Sequence, residues 1–299
     1  MDKSTPAELL IRQRLSALTR TLPGAQRGDV PSIHQARVAT RRLREALPLV
    51  ASGGKGRKLE RTVRKITRAL GPVRELDVAL LSLDELEAAG DVPRPAIVRL
   101  RQVIGQERTL LHASAQRTLQ RLDVEKLRKR AVSAAKQQKP DTASARGRVR
   151  DPQRLAEAED RAARRALTLR VAIENAAGIY LPDRLHEVRI AVKKLRYAME
   201  LARELSGSRA MAALRTLKRA QDQLGRMHDL EILIARTRAV QGSSTAANLR
   251  LSGDLDKVVR RLETECRTLH GHYMASRSAL IAICERVEAA PERRAAAAA

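Results

Sequence analysis

Apolar residues recur along this chain at intervals of three and four, and no stretch alternates with a period of two. Leu10, Leu15, Leu18 and Leu22 give the first segment one core-facing side, because a period near 3.6 returns such positions to one stripe of a helix. Thr5-Pro6 opens that helix as cap and first helical residue, and Pro23-Gly24 is expected to end it. A second helix begins at Pro31-Ser32 and weakens across Pro48 to Gly54. A third runs from about Lys55 to Ala89, with a break or kink expected at Gly71-Pro72, where proline removes a backbone donor and crowds the preceding turn. The fourth starts near Pro95 and runs through Leu100, Ile104, Leu111 and Leu122 to about Ala135.

Residues 138–152, QKPDTASARGRVRDP, have turn formers and charge without periodicity and read as a basic loop or linker. Beyond it the scheme repeats, with helices expected over about Gln153–Ala177, from Pro182, over about Ser208–Gln241 and over about Ala246–Ala289. The sequence therefore predicts an all-α protein with a four-helix half at 1–137, a second at 153–290, and a disordered alanine-rich tail at 291–299.

The repetition is explicit in one pattern. From His34 the chain reads HQARVATRRLR and from His186, 152 residues later, HEVRIAVKKLR. At about 100° per residue, offsets of 3, 7 and 10 return to one narrow face of a helix. His34, Arg37, Arg41 and Arg44 form one such face, and His186, Arg189, Lys193 and Arg196 the other. Ala36, Ala39, Leu43 and Leu47 fall opposite the first, and Val188, Ala191, Leu195 and Met199 opposite the second. Each copy thus predicts a helix with a core stripe and a cationic ladder. Like charges at this spacing destabilise a helix by roughly 0.2 to 0.5 kcal/mol per pair, a cost that a shared anion would reverse. Glu45 and Glu200 lie near the ladder faces, so the mixing of sign is not zero.

The duplication extends further. Leu70-Gly71-Pro72-Val73-Arg74-Glu75-Leu76-Asp77 is matched by Leu224-Gly225-Arg226-Met227-His228-Asp229-Leu230-Glu231. Upstream, Arg61, Arg64, Lys65 and Arg68 gather on one face, and Arg215, Lys218 and Arg219 repeat most of it, with Asp222 where Arg68 would recur. A duplicated four-helix unit is the simplest explanation.

Composition narrows the partner. The chain of 299 residues carries a formal net charge of +25, which implies a polyanion: nucleic acid, an anionic membrane surface or an inorganic phosphate polymer. Three tyrosines, with no Phe and no Trp, cannot build the stacking platform that readers of single strands use. Cys266 and Cys284 suit neither a metal cluster nor a disulfide framework and read as buried or half-buried thiols of a reducing cytosol. The opening MDKSTPAELLIRQR has no apolar leader, and the longest apolar runs, about six residues, fall far short of a membrane span, so a cytoplasmic protein is expected.

At the paired ladders, Pro31 to Leu47 and Pro182 to Met199, each followed by its Leu-Gly element, the chain resembles the conserved histidine α-helical domain (CHAD) family over nearly its whole length. The resemblance implies two four-helix bundles related by a pseudo-two-fold axis, with basic helices lining a central cleft or pore that binds inorganic polyphosphate. It also implies association with polyphosphate granules. Carried over position by position, the ligand-facing residues would be His34, Arg37, Arg41, Arg42 and Arg44, and His186, Arg189, Lys193, Lys194 and Arg196, with Arg61, Lys65, Arg215 and Arg219 as further candidates. Some members of the family carry an upstream triphosphatase domain marked by a Glu-x-Glu-x-Lys strand; this chain has no such triplet, and no such domain is expected before Thr5. Glu75 and Asp222 depart from the commonest pattern and put the role of the third helices in question.

Ten residues of helix rise about 15 Å, so each ladder can meet several successive phosphates, and arginine forks grip phosphate oxygens in pairs. His34 and His186 either contact phosphate or buttress the ladder through a neighbouring helix. Asp77, Asp229 and Glu231 are expected to orient ladder arginines. His228-Asp229 resembles a metal-hydrolase dipeptide but lacks further ligands at matching positions, so neither metal, cofactor nor enzymatic activity is expected. His112, His270 and His272 sit in ordinary helical contexts. Arg146, Arg148 and Arg150 of the linker are expected to be a solvated loop or a capture site for polyanions. The other reading of the same basic surface is a nucleic-acid-binding or architectural protein.

Overall fold

The structure, a computed structural model, describes residues 6–50, 53–136, 152–176, 178–206, 211–243 and 249–291. Among them there are nine α-helices and no strand: α1 (Pro6–Gln26), α2 (Val30–Val50), α3 (Gly53–Ala89), α4 (Arg94–Gln120), α5 (Val124–Lys136), α6 (Pro152–Asn175), α7 (Pro182–Ser206), α8 (Ala212–Gly242) and α9 (Leu249–Glu288). Thr5, the basic linker with Arg146, Arg148 and Arg150, and almost all of the 291–299 tail lie outside the described residues.

The helices follow the 3.6-residue pattern closely, and three boundaries differ from expectation. Pro23 does not end α1, which continues to Gln26. The stop comes from Gly28, whose φ of +85° is one that only glycine adopts without strain. Its N–H reaches Ala25 O and that of Asp29 reaches Gly24 O, the paired bonds of a Schellman ending. Asp29 then caps α2, its carboxylate accepting the Ser32 N–H at 2.9 Å. Pro72 does not break α3, which runs unbroken past it. The expected fourth helix is two, because Asp123 interrupts it and caps α5 through the Lys126 N–H at 2.8 Å.

The chain packs as two compact units. The first comprises Met1–Glu75, Arg108–Ala158 and Glu204–Gly207. Here α1 packs on α2 and α5. Its core is drawn from Ile11, Leu15 and Leu18 of α1, Ile33, Leu43 and Leu47 of α2, and Leu59, Val63 and Ile66 of α3, each at most 3% exposed. His112 braces the end of α1, its Nε2 lying 3.3 Å from Ala25 O. The second unit comprises Leu76–Glu107, Glu159–Arg203 and Ser208–Ala299. There α8 packs along α9, and Leu169, Ile173, Val188, Leu195, Leu217, Leu224 and Leu280 belong to one buried cluster. Cys266 and Cys284 are buried free thiols, and burial pushes them up to about 11 and about 12.

Candidate functional site: two cationic ladders

The core stripe opposite each ladder is buried. Ala36, Ala39, Leu43 and Leu47 are at most 6% exposed, and so are Val188, Ala191 and Leu195, while Met199 is partly buried against the same cluster. Burial of one face fixes the rotation of α2 and α7 and commits the cations to the other.

In the first unit, α2 turns its ladder toward α3. The Arg37 Nη1 donates to Thr67 O at 3.2 Å. Arg44 lies within range of Arg64 and Glu60, and His34 within range of Arg74. As the ladder advances its neighbours step backwards along α3, so the two helices run antiparallel. Gly71 supplies the room: a Cβ there would stand 3.0 Å from the Arg37 Nη1. Burial, then the charges of Arg74, Arg41 and Arg37, hold His34 below its ordinary pKa of 6.5. Burial and Arg64 likewise lower Arg44, against Glu60, and the Arg44 Nε is buried without a hydrogen bond.

The second unit repeats this plan with different neighbours. His186 Nδ1 lies 3.1 Å from the Nδ1 of His228 on α8, with ring centroids 4.2 Å apart. One ring must donate and the other accept, so the pair shares one proton in that contact. Burial and then Arg189, His186 and Lys193 press His228 down to about 4, and burial, Arg189 and Lys193 lower His186. A Cβ at Gly225 would meet Arg189 Nε at 3.9 Å, an ordinary contact. Arg196 is 8% exposed. Its Nε donates to Gln221 Oε1 at 2.9 Å, its Nη1 donates to Glu200, and its Cζ lies 4.5 Å over the Tyr197 ring.

Each histidine also borders a cavity. The one beside His34, about 630 Å³, is lined by Arg14, Arg20 and Arg42 over a floor that includes Ala17 and Val38. The one beside His186, about 450 Å³, is lined by Tyr180, Asp183, His228 and Glu231.

The sequence-predicted residues therefore occupy three settings. His34, Arg37, Arg41 and Arg44, and His186, Arg189, Lys193 and Arg196, share their predicted faces. Arg42 turns toward α1 and its cavity and, like Lys194, is exposed. Arg61, Lys65, Arg215 and Arg219 are exposed on α3 and α8. Glu231 accepts the Tyr180 hydroxyl and not a ladder arginine. Arg14 and Arg20 of α1 were not singled out from the sequence; Arg74 and His228, read there as members of the two Leu-Gly elements and not as neighbours of the ladders, hold equivalent places and stand beside the two ladder histidines. That equivalence was the available signal. No group of three or more His, Cys, Asp or Glu among the described residues is placed to hold a metal, and no described helix is long and apolar enough to cross a membrane.

A family model of the CHAD domain matches residues 9–238. No curated protein matches the sequence. Among solved structures, the chain is similar to the CHAD domain from the plant Ricinus communis, with a TM-score of 0.66 and 20% identity over 91% of this chain and 90% of that one. It is similar also to PptA from Streptomyces chartreusis, with a TM-score of 0.64 and 16% identity over 90% and 97%.

Proposed function

The chain belongs to the CHAD domain family, and from that premise we propose that it is a non-enzymatic module that binds inorganic polyphosphate along its two cationic ladders. One observation carries the reading. In both units the ladder sets a histidine and three Arg or Lys side chains on the helix face opposite the buried stripe, where the neighbouring cations add to desolvation in lowering the pKa of His34 and His186. Three cations stacked on one helix face give that face a positive potential, and the sequence carries the pattern twice. A polyanion would relieve the repulsion with charge-assisted bonds to Arg and Lys.

The aromatic residues favour polyphosphate over a single-stranded nucleic acid. Tyr197 and Tyr273 are 8% and 1% exposed, and Tyr180 is tied to Glu231. Three scattered tyrosines, two of them buried, build no platform on which successive bases could stack. Polyphosphate has no bases and needs none. Polyphosphate granules are the cellular setting this function implies.

The test is thermal melting at physiological salt with long-chain polyphosphate or with duplex DNA at equal phosphate concentration. A ligand that binds only the native state adds about 2.7 kcal/mol at a hundredfold excess over Kd, so polyphosphate should raise the midpoint by several degrees and DNA by less. No shift at saturating polyphosphate would refute the function, and an equal shift with DNA would favour a general nucleic-acid binder.

A further inference from the structure

The two ladders share a spacing but not their surroundings. In the first unit the last rung, Arg44, has a buried Nε without a hydrogen bond and stands within range of Arg64. In the second unit the corresponding Arg196 is bonded to Gln221 and Glu200 and lies over Tyr197. The sequence explains the difference. Glu200 stands where the first copy has Pro48, Gln221 where it has Thr67, and Asp222 where it has Arg68. Asp222 accepts from Lys218 at 2.5 Å. Counter-charge is not confined to the second unit, since Glu60 holds Arg64 at 2.7 Å. Glu60 and Glu45 also stand within range of Arg44, but among the described residues a carboxylate bonds the last rung directly at Arg196 and not at Arg44.

The cavities diverge in the same sense. Three arginines line the one beside His34, although Arg14 is also paired with Glu204 at 2.5 Å. The described lining of the one beside His186 has Asp183 and Glu231 and no Arg or Lys.

We infer that the ladders are unequal sites: the α2–α3 ladder anchors the polyanion through Arg44, whereas the α7–α8 ladder carries its own counter-charges and uses Arg196 as a positioning residue. The inference rests on the polyphosphate function proposed above. A phosphate oxygen reaching the outer guanidinium nitrogens of Arg44 meets a cation to which no carboxylate among the described residues is bonded and offsets the charge of Arg64. One reaching Arg196 must first displace Glu200, exchanging one charge-assisted bond for another with little net gain.

The experiment is a calorimetric titration of the full chain with sodium tripolyphosphate and with long-chain polyphosphate, on the wild type and on Arg44→Gln, Arg196→Gln and Glu200→Gln. Loss of a hydrogen bond to a charged group corresponds to about tenfold or more in affinity, the loss expected for Arg44→Gln. Arg196→Gln should lower the melting midpoint while changing affinity far less, and Glu200→Gln should raise affinity by releasing Arg196. Equal losses on Arg44→Gln and Arg196→Gln, or no loss on Arg44→Gln, would overturn the inequality while leaving polyphosphate binding intact. Should Arg196→Gln fail to fold, Glu200→Gln decides: a gain supports the inference, and no change or a loss overturns it. A wild type that binds neither phosphate chain overturns the function and the inference together.

Discussion

At the scale of single residues, desolvation first and the ladder cations second lower the pKa of the histidines. His228 is held at about 4 against an ordinary 6.5, so near pH 5 the unfolded chain binds a proton that the folded one does not. Its contribution to stability is therefore complete above pH 6.5 and is lost as the pH falls toward 4. Lowered values at His34 and His186 act with the same sign. The groups that set the field at the histidine pair are Arg189 and Lys193, with Asp183 and Glu187 opposing them at His186. The melting midpoint should fall between pH 7 and pH 5 without ligand, and fall less with polyphosphate bound, because an added anion restores the imidazolium. An identical fall with and without polyphosphate would place the anion away from the histidines. The faces of these residues were legible from the sequence, since an eleven-residue pattern with buried Leu and Ala on one side leaves no other rotation. Their local partners were less so. That Arg196 would be bonded inward depends on where Gln221 of a distant helix lands, although Glu200, four residues on, was a visible hint.

At the scale of helices, the Leu-Gly element gains a physical role. Its glycine sits where the second rung of the ladder crosses the neighbouring helix, tightly at Gly71 beside Arg37 and with space to spare at Gly225 beside Arg189. Within a helix, Gly→Ala is ordinarily stabilising by about 0.5–1 kcal/mol. Gly225→Ala should show that gain in denaturant melts and leave polyphosphate binding unchanged. Gly71→Ala should displace the Arg37 guanidinium from Thr67 O and weaken polyphosphate binding several-fold; equal effects of the two substitutions would contradict this role. From the sequence the glycine and proline of Leu-Gly-Pro read as a breakpoint in α3, yet the helix continues. One missing backbone donor costs about 3 kcal/mol, and burial of Leu70, Val73 and Leu76 on either side of it outweighs that. At α1 the same preference for proline as a stop failed for a different reason. A glycine five residues later can adopt positive φ and close both orphan bonds, which Pro23 cannot. The interruption at Asp123 was a cap read as part of a continuing stripe.

At the scale of the whole molecule, a charge of +25 makes attraction to any polyanion inevitable, so selectivity is the property that separates a site from a surface. A repeat was legible in the sequence as an offset of 152 to 154 residues that recurs in two separate motifs. α3 and α4, at 37 and 27 residues, each contribute residues to both compact units. Binding to general basic surface should weaken steeply with salt in proportion to the number of phosphates neutralised, for DNA and polyphosphate alike. Binding to ordered ladders should retain a preference for polyphosphate as salt rises, measurable as the ratio of the two affinities at increasing ionic strength. The most direct test is a side-by-side titration, at physiological salt, of long-chain polyphosphate and duplex DNA against the wild type and the double variant Arg41→Glu/Lys193→Glu. Tighter binding of polyphosphate than of DNA, lost in the double variant, is the expected result; equal binding of the two polymers, or a double variant that binds polyphosphate as the wild type does, would contradict it.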